Sequence, residues 1–257
     1  MSTRIAITRG VSPNVARCEL THLARDPIDV AAATRQHLAY EARLAELGCD
    51  VHHLDAEPDY PDSVFVEDAA IVLDELAIVM RPGAASRRGE AASIARALEP
   101  YRPLRLVTDP GTIDGGDVLR VGRTLYVGAS TRTNAAAVEQ LRRFVDPHGY
   151  EVATIPVRGA LHLKSGVTSV ADRTLLINRT WIDPARFGGL QLIDVDPSEP
   201  AGANALQVGA TVVCASAFPR TRERLDEHGI ATVAVDATEL AKAEGGLTCC
   251  SLIFETR

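Results

Sequence analysis

The sequence predicts a single α/β domain of hairpin–helix–strand repeats that stack radially and close on themselves. Three observations carry that expectation. Tight two-residue turns between β-forming runs recur at intervals of about 48, 50 and 37 residues along the chain. A partial echo, Val121-Gly122-Arg123-Thr124 against Val208-Gly209-Ala210-Thr211, marks two of those turns as equivalent. The two chain ends, finally, each carry part of one further unit.

In chain order, Ile5–Thr8 reads as a strand, Val30–Gly48 as a long amphipathic helix and Val51–Leu54 as a strand. Val64–Leu73 and Leu76–Arg81 then flank Asp74-Glu75. Apolar β-formers on both sides of a tight polar turn read as a hairpin. Helical spacing over Gly89–Leu98 and a strand at Arg105–Val107 complete that unit. The next hairpin, Val118–Val121 with Thr124–Val127, leads into a helix at Asn134–Val145 and a strand at Glu151–Pro156. A third, Val167–Ala171 with Thr174–Asn178, has no helical signal behind it. The fourth, Ala205–Val208 with Thr211–Ala215, is followed by a helix at Pro219–His228 and a strand at Thr232–Val235. Gly246–Glu255 is the last hairpin-like segment, and it joins the N-terminal elements in a closing fifth unit. No linker or composition break interrupts the chain, so residues 1–257 read as one domain.

Composition narrows the function. A chain of 257 residues, 46% hydrophobic, is long enough for a sizeable core. Its formal charge of −7 argues against a general nucleic-acid or anionic-membrane surface. There is no apolar run of 18 residues to span a membrane, and Met1 to Gly10 reads as a short alternating strand without the continuous apolar stretch of a signal peptide. Cys18, Cys49, Cys214, Cys249 and Cys250 form no C-x-x-C pair, so neither a zinc ribbon nor a thioredoxin-type couple is indicated. The expectation is a cytoplasmic protein with free thiols and with no metal or cofactor. Of its 27 basic residues only Lys164 and Lys242 are lysines, a bias that coding composition largely accounts for.

The hairpin entrances carry the unusual residues. A strand entering a core should alternate apolar side chains. Instead the entrances read Asp62-Ser-Val-Phe-Val-Glu67-Asp68, Asp114-Gly-Gly-Asp117, Leu161-His-Leu-Lys-Ser165, Gly202-Ala-Asn204 and Gly245-Gly-Leu-Thr-Cys249-Cys250. In a closed radial repeat these positions converge on the axis, where buried polar groups need mutual pairing or a charged ligand. Each also has a plainer reading. Glu67 and Asp68 could be solvent-facing carboxylates of a hairpin, though an adjacent pair on a strand points to opposite faces so that at most one is simply outward. His162 could be a satisfied half-buried histidine, and Cys249-Cys250 could be small core residues. Arg87-Arg88 at a helix start is unfavourable to the dipole and hints at an anionic partner. His52-His53 reads as a surface strand end without a role.

Jointly, six stretches in order resemble dimethylarginine dimethylaminohydrolase, of the guanidino-group-modifying superfamily. They are residues 61–68, 81–90, 112–117, 132–134, 161–165 and 245–251. The resemblance implies a five-bladed, pseudo-symmetric α/β propeller of ββαβ units, the pentein fold. It implies hydrolysis of Nω-methylated L-arginine to L-citrulline and dimethylamine or methylamine, through a covalent cysteine S-alkylthiouronium. Cys249 matches the nucleophile, His162 the general acid/base and Asp114 the carboxylate that orients it. Asp62 and Asp68 match carboxylates that grip the guanidinium, with Glu67 supporting them. Arg87 and Arg132 match a clamp for the substrate carboxylate, while Leu20 and the backbone of Ala243 match loop contacts to its amino end. Around Asn204 the sequence departs from the family's more usual Ala-Ala-Asn-Cys. Relatives suggest a homodimer, for which the sequence carries no interface signal.

The chemistry suits those residue types. A guanidinium is planar and permanently charged, so its carbon resists attack until carboxylates fix it and a thiolate adds. The substrate's own charge would lower the thiol pKa. Alternatives are a hydrolase or deiminase acting on free arginine or another guanidino or ureido amino acid, and a non-catalytic sensor of cationic amino acids. A papain-like protease fits less, because its nucleophile precedes its histidine and here the order is reversed.

Overall fold

Each repeat folds as a three-stranded sheet in which an antiparallel hairpin receives a third, parallel strand from a crossover connection. A computed structural model describes residues 2–256. Met1 and Arg257, the ends of the domain read from sequence, lie outside the described residues.

The first blade holds β1 (Arg4–Arg9), helix α1 (Val30–Glu46) and β2 (Cys49–Leu54). β3 (Ala70–Val72), β4 (Ala77–Val79), α2 (Ala91–Leu98) and β5 (Leu104–Leu106) make the second. The third has β6 (Val118–Val121), β7 (Thr124–Ala129), α3 (Ala135–Val145) and β8 (Glu151–Pro156). One helical turn, α4 (Leu163–Gly166), leads the fourth, β9 (Val167–Ala171), β10 (Thr174–Ile177) and β11 (Gln191–Asp194). The fifth comprises β12 (Leu206–Val208), β13 (Thr211–Ala215), α5 (Pro219–Glu227) and β14 (Ala231–Val235). After the short α6 (Thr238–Ala241), β15 (Leu252–Glu255) returns to the first blade. There it pairs antiparallel to β1, with Arg4 opposite Glu255, while β2 pairs parallel on β1's other side. The five sheets form the five-bladed α/β propeller that the sequence anticipates.

Two local departures matter for the site. The segment read as a strand from Val64 to Leu73 is a 3-10 turn over Val66–Ala69, and strand geometry begins only at Ala70. Glu67 and Asp68 therefore do not point to opposite faces; both are buried. A 3-10 turn recurs at the blade entrances Gly115–Asp117, Pro200–Ala203 and Thr248–Cys250, and a single α-helical turn, Leu163–Gly166, takes its place in the fourth. A turn of this kind aims consecutive residues inward where a pleat would send alternate ones outward. In the fourth blade the crossover has only a 3-10 turn at Pro184–Phe187, which is why no helical period is readable there, and its strand β11 escaped the sequence reading.

Glycine makes the close approach of these turns feasible. A Cβ on Gly115 would fall 1.9 Å from the Glu67 carbonyl oxygen, and one on Gly116 would fall 2.6 Å from His162 Nδ1. Around the axis, apolar clusters fill the space between sheets and helices.

Candidate active site

Three blade entrances bring their polar residues into one narrow cavity. Its wall includes Asp62, Asp68, Arg132, His162, Ala243 and Cys249, with Arg87 behind them. Cys249 stands in the last 3-10 turn, where its Sγ accepts from Gly246 N at 3.4 Å. Gly246 is closed in from the other side, since a Cβ there would lie 2.4 Å from Asn204. Asn204 in turn donates to Lys164 O and Thr248 Oγ1, each at 3.1 Å, and so ties the His162 and Cys249 turns together.

His162 is buried at the start of α4, and its Nε2 lies 3.0 Å from Asp114 Oδ2. Asp114 is fully buried, and its Oδ1 accepts from Gly83 N at 2.8 Å, so both carboxylate oxygens are held. On the other side His162 Nδ1 lies 3.8 Å from Asp68 Oδ1. Burial opposes the imidazolium, but Asp68, Asp114 and Asp117 outweigh it and raise its pKa to about 9. For Asp68 the balance runs the same way: burial works against its charge, yet His162 and Arg87 hold it at about 2. The Cys249 thiol is pushed up to about 12 by burial and by the nearby Glu67 and Asp68. At neutral pH the pair therefore rests as thiol and imidazolium.

The other candidates divide by what already holds them. Glu67 accepts from Lys164 Nζ at 2.5 Å and from Thr248 Oγ1 at 2.8 Å. Burial raises its pKa. Asp62 is likewise raised by burial, and its Oδ2 accepts from Glu19 N at 3.1 Å. Arg87 is buried with Nη1 on Asp68 at 2.6 Å and with Nε and Nη2 on Glu90 at 3.0 and 2.8 Å. It thus braces Asp68 from behind. Arg132 places Nη1 3.7 Å from Asp114 Oδ2 and Nη2 3.0 Å from Thr21 Oγ1. Leu20 is half-buried and packs on the core beneath its loop, while Ala243 is buried on the cavity wall. Donor atoms of Asp68, Asp114 and His162 lie within 4.8 Å of one another. A metal there would need a neutral imidazole, whereas these carboxylates favour the protonated ring.

Several participants were not singled out from the sequence. Asp117 is fully buried and accepts from Ser130, Thr133 and the Leu163 backbone, which fixes the turn carrying His162. Its signal was its place in Asp-Gly-Gly-Asp. Lys164 neutralises Glu67, and the signal available was rarity, one of two lysines in an arginine-rich chain. Glu244, with a left-handed φ of 58°, accepts the backbone N–H groups of Thr21, His22 and Leu23 at 2.5–3.0 Å. It thereby pins the loop that lies over Asp62 and Arg132. Nothing in the sequence marks that contact.

The comparisons with known proteins agree with this architecture. A family model described as "N,N dimethylarginine dimethylhydrolase, eukaryotic" matches residues 21–256. The N(G),N(G)-dimethylarginine dimethylaminohydrolase of Streptomyces coelicolor is 39% identical over 98% of this chain and 97% of its own. Among solved structures, a cysteine-to-serine mutant of DDAH from Pseudomonas aeruginosa, complexed with citrulline, superposes with a TM-score of 0.92. It is 32% identical, covering 97% of this chain and 98% of its own. A histidine-to-glycine dimethylarginine dimethylaminohydrolase, solved as an adduct with S-methyl-L-thiocitrulline, gives the same TM-score of 0.92 at 32% identity, over 99% of this chain and 100% of its own. With its fold, its cavity and its near full-length relatives in accord, the chain belongs to the dimethylarginine dimethylaminohydrolase family.

Proposed function

We propose that the protein hydrolyses Nω-methylated L-arginine to L-citrulline and dimethylamine or methylamine, with Cys249 as nucleophile. The observation that carries this reading is one cavity lined by a thiol, an imidazole paired to a buried carboxylate, and two further carboxylates. Asp62 and Asp68 receive the guanidinium, Glu67 supports them from the axis, and Arg132 engages the substrate carboxylate. Arg87, whose nitrogens are taken by Glu90 and Asp68, braces Asp68 for the guanidinium. Leu20 and Ala243 shape the wall toward the amino group.

The resting charge state explains the order of steps. A neutral thiol attacks poorly, and the arriving guanidinium lowers the Cys249 pKa so that the proton leaves to solvent. The thiolate adds to the guanidinium carbon and gives a neutral tetrahedral adduct. His162, already protonated, gives its proton to the methylated nitrogen, which departs as the amine and leaves a cationic thiouronium. Neutral His162 then takes a proton from water as the oxygen adds to the same carbon. Collapse releases citrulline and returns Cys249 and protonated His162. Asp114 keeps the ring oriented throughout. Buried free thiols fit a reducing, cytosolic compartment.

Incubation with asymmetric dimethylarginine should give citrulline and dimethylamine in equal amounts. Cys249→Ser should bind substrate without turnover. Faster release of ammonia from arginine than of dimethylamine from dimethylarginine would replace this reading with a deiminase.

A further inference from the structure

A second cavity adjoins the first, and its character is the opposite. It measures about 320 Å3 and is walled chiefly by aromatic and small apolar side chains, among them Trp181, Phe218, Ala217 and Ala241. The two cavities share Leu161, Glu244 and Gly245. Leu161 immediately precedes His162. On the other side the second cavity runs along Gly246, whose N–H donates to Cys249 Sγ. His22, Leu23 and Glu244, from the loop over the catalytic cavity and its anchor, complete that wall. The apolar space therefore meets the catalytic cavity at Leu161, beside His162, and at Gly246, beside Cys249.

From this continuity we propose that the second cavity is a subsite for the alkyl group on the leaving nitrogen, and that the enzyme accepts Nω-alkyl-L-arginines with propyl- or butyl-sized substituents. The inference rests on the hydrolase reading above. The leaving nitrogen must face His162 to receive its proton, and a chain carried on that nitrogen is directed past Leu161. The guanidinium stays among the carboxylates while the hydrocarbon enters a wall with little to hydrogen-bond. The reaction balances as before: Nω-propylarginine and water give citrulline and propylamine. A methyl group is too short to use this space, whereas each further methylene moved out of water is worth about fourfold in binding.

Trp181 supplies a direct readout, because it is the only tryptophan of the chain and stands in the cavity wall. With Cys249→Ser protein, Nω-propyl-L-arginine should bind about tenfold or more tighter than the monomethyl compound and shift Trp181 emission to the blue. Ala217→Leu and Ala241→Leu, made separately in the active enzyme, should fill the space. Each should remove the propyl advantage and leave kcat/KM for monomethylarginine within about twofold. Equal affinity for the two ligands with an unmoved Trp181 emission would overturn the subsite, as would leucine variants that weaken both substrates alike. The hydrolase reading fails separately, through absence of citrulline from methylated arginine in the unmodified enzyme.

Discussion

His162 is surrounded by acid: Asp114 at 3.0 Å, Asp68 at 3.8 Å, and Asp117 behind the turn that carries it. Their combined field outweighs burial, which is why the ring holds its proton to about pH 9 instead of the usual 6.5. The folded chain thus binds this proton more tightly than the unfolded chain does. The associated stability is complete below about pH 6.5 and is lost as the pH rises through 9. A shift of that size corresponds to about 3 kcal/mol. An NMR titration of the His162 Cε1–H should give a midpoint near 9, moved downward in Asp114→Asn, which weakens the hydrogen bond to the charged ring. Thermal unfolding should show Tm falling between pH 6.5 and 9 in the parent, with that slope flattened in His162→Gln. A midpoint near 6.5 would remove the thiol–imidazolium resting state. The same state makes a second expectation for Cys249. A neutral haloacetamide should alkylate it slowly at pH 7, while a cationic haloamidine of similar size, occupying the guanidinium position, should react at least tenfold faster. Equal rates would mean that the thiol is not activated by the bound cation.

At the scale of single elements, what the sequence disclosed and what it hid have the same cause. Strand pairs such as Val118–Val121 with Thr124–Val127 are legible because apolar alternation and a two-residue turn are local signals. The inward 3-10 turns were not. Their polar residues break the strand period, and only other blades supply the partners that justify burying Glu67 or Asp114. Convergence of the candidates on one axis was nevertheless readable, since equivalent points of a radial repeat must meet. The loop over the cavity was beyond reach of any local rule. It is held by Glu244, more than 220 residues away in sequence, from a left-handed backbone that costs roughly 1–2 kcal/mol. The next residue, Gly245, packs too closely on Phe65 to carry a side chain, since a Cβ there would fall 2.1 Å from the ring. Glu244→Ala leaves the three amide donors of Thr21, His22 and Leu23 without their acceptor. Trypsin should then cut faster after Arg25, and KM for dimethylarginine should rise severalfold because the loop no longer covers Asp62 and Arg132. Unchanged cleavage at Arg25 would show that the loop is held by its other contacts, such as Glu19 N on Asp62.

For the molecule as a whole, closure of the ring depends on its two ends. β15 and β1 pair antiparallel as any other hairpin of the propeller does, but no turn joins them directly. Thr256 N donates to Thr3 O at 2.8 Å, and Ser2 Oγ to Glu255 Oε2 at 2.9 Å, so residues 2–3 and 255–256 already meet. If the five blades are equivalent in their contribution to closure, where the chain is cut should matter little, provided the cut falls in an exposed turn. The Asp172-Arg173 turn between β9 and β10 qualifies: both residues are exposed, and Arg173 is held at a φ of 52° that new termini would relax. A circular permutant that joins residues 257 and 1 through a short Gly/Ser linker, with new ends between Asp172 and Arg173, should fold and retain dimethylarginine turnover. Its Tm should fall by no more than about 4 °C, the shift expected for a change near 1 kcal/mol in a chain of this size. Cutting between Gly115 and Gly116 instead should abolish activity, because that turn carries Asp114 against His162 and leaves no room for added atoms. An unfolded first permutant beside a stable parent would mean that the β1–β15 junction must be reached through the native order of the chain.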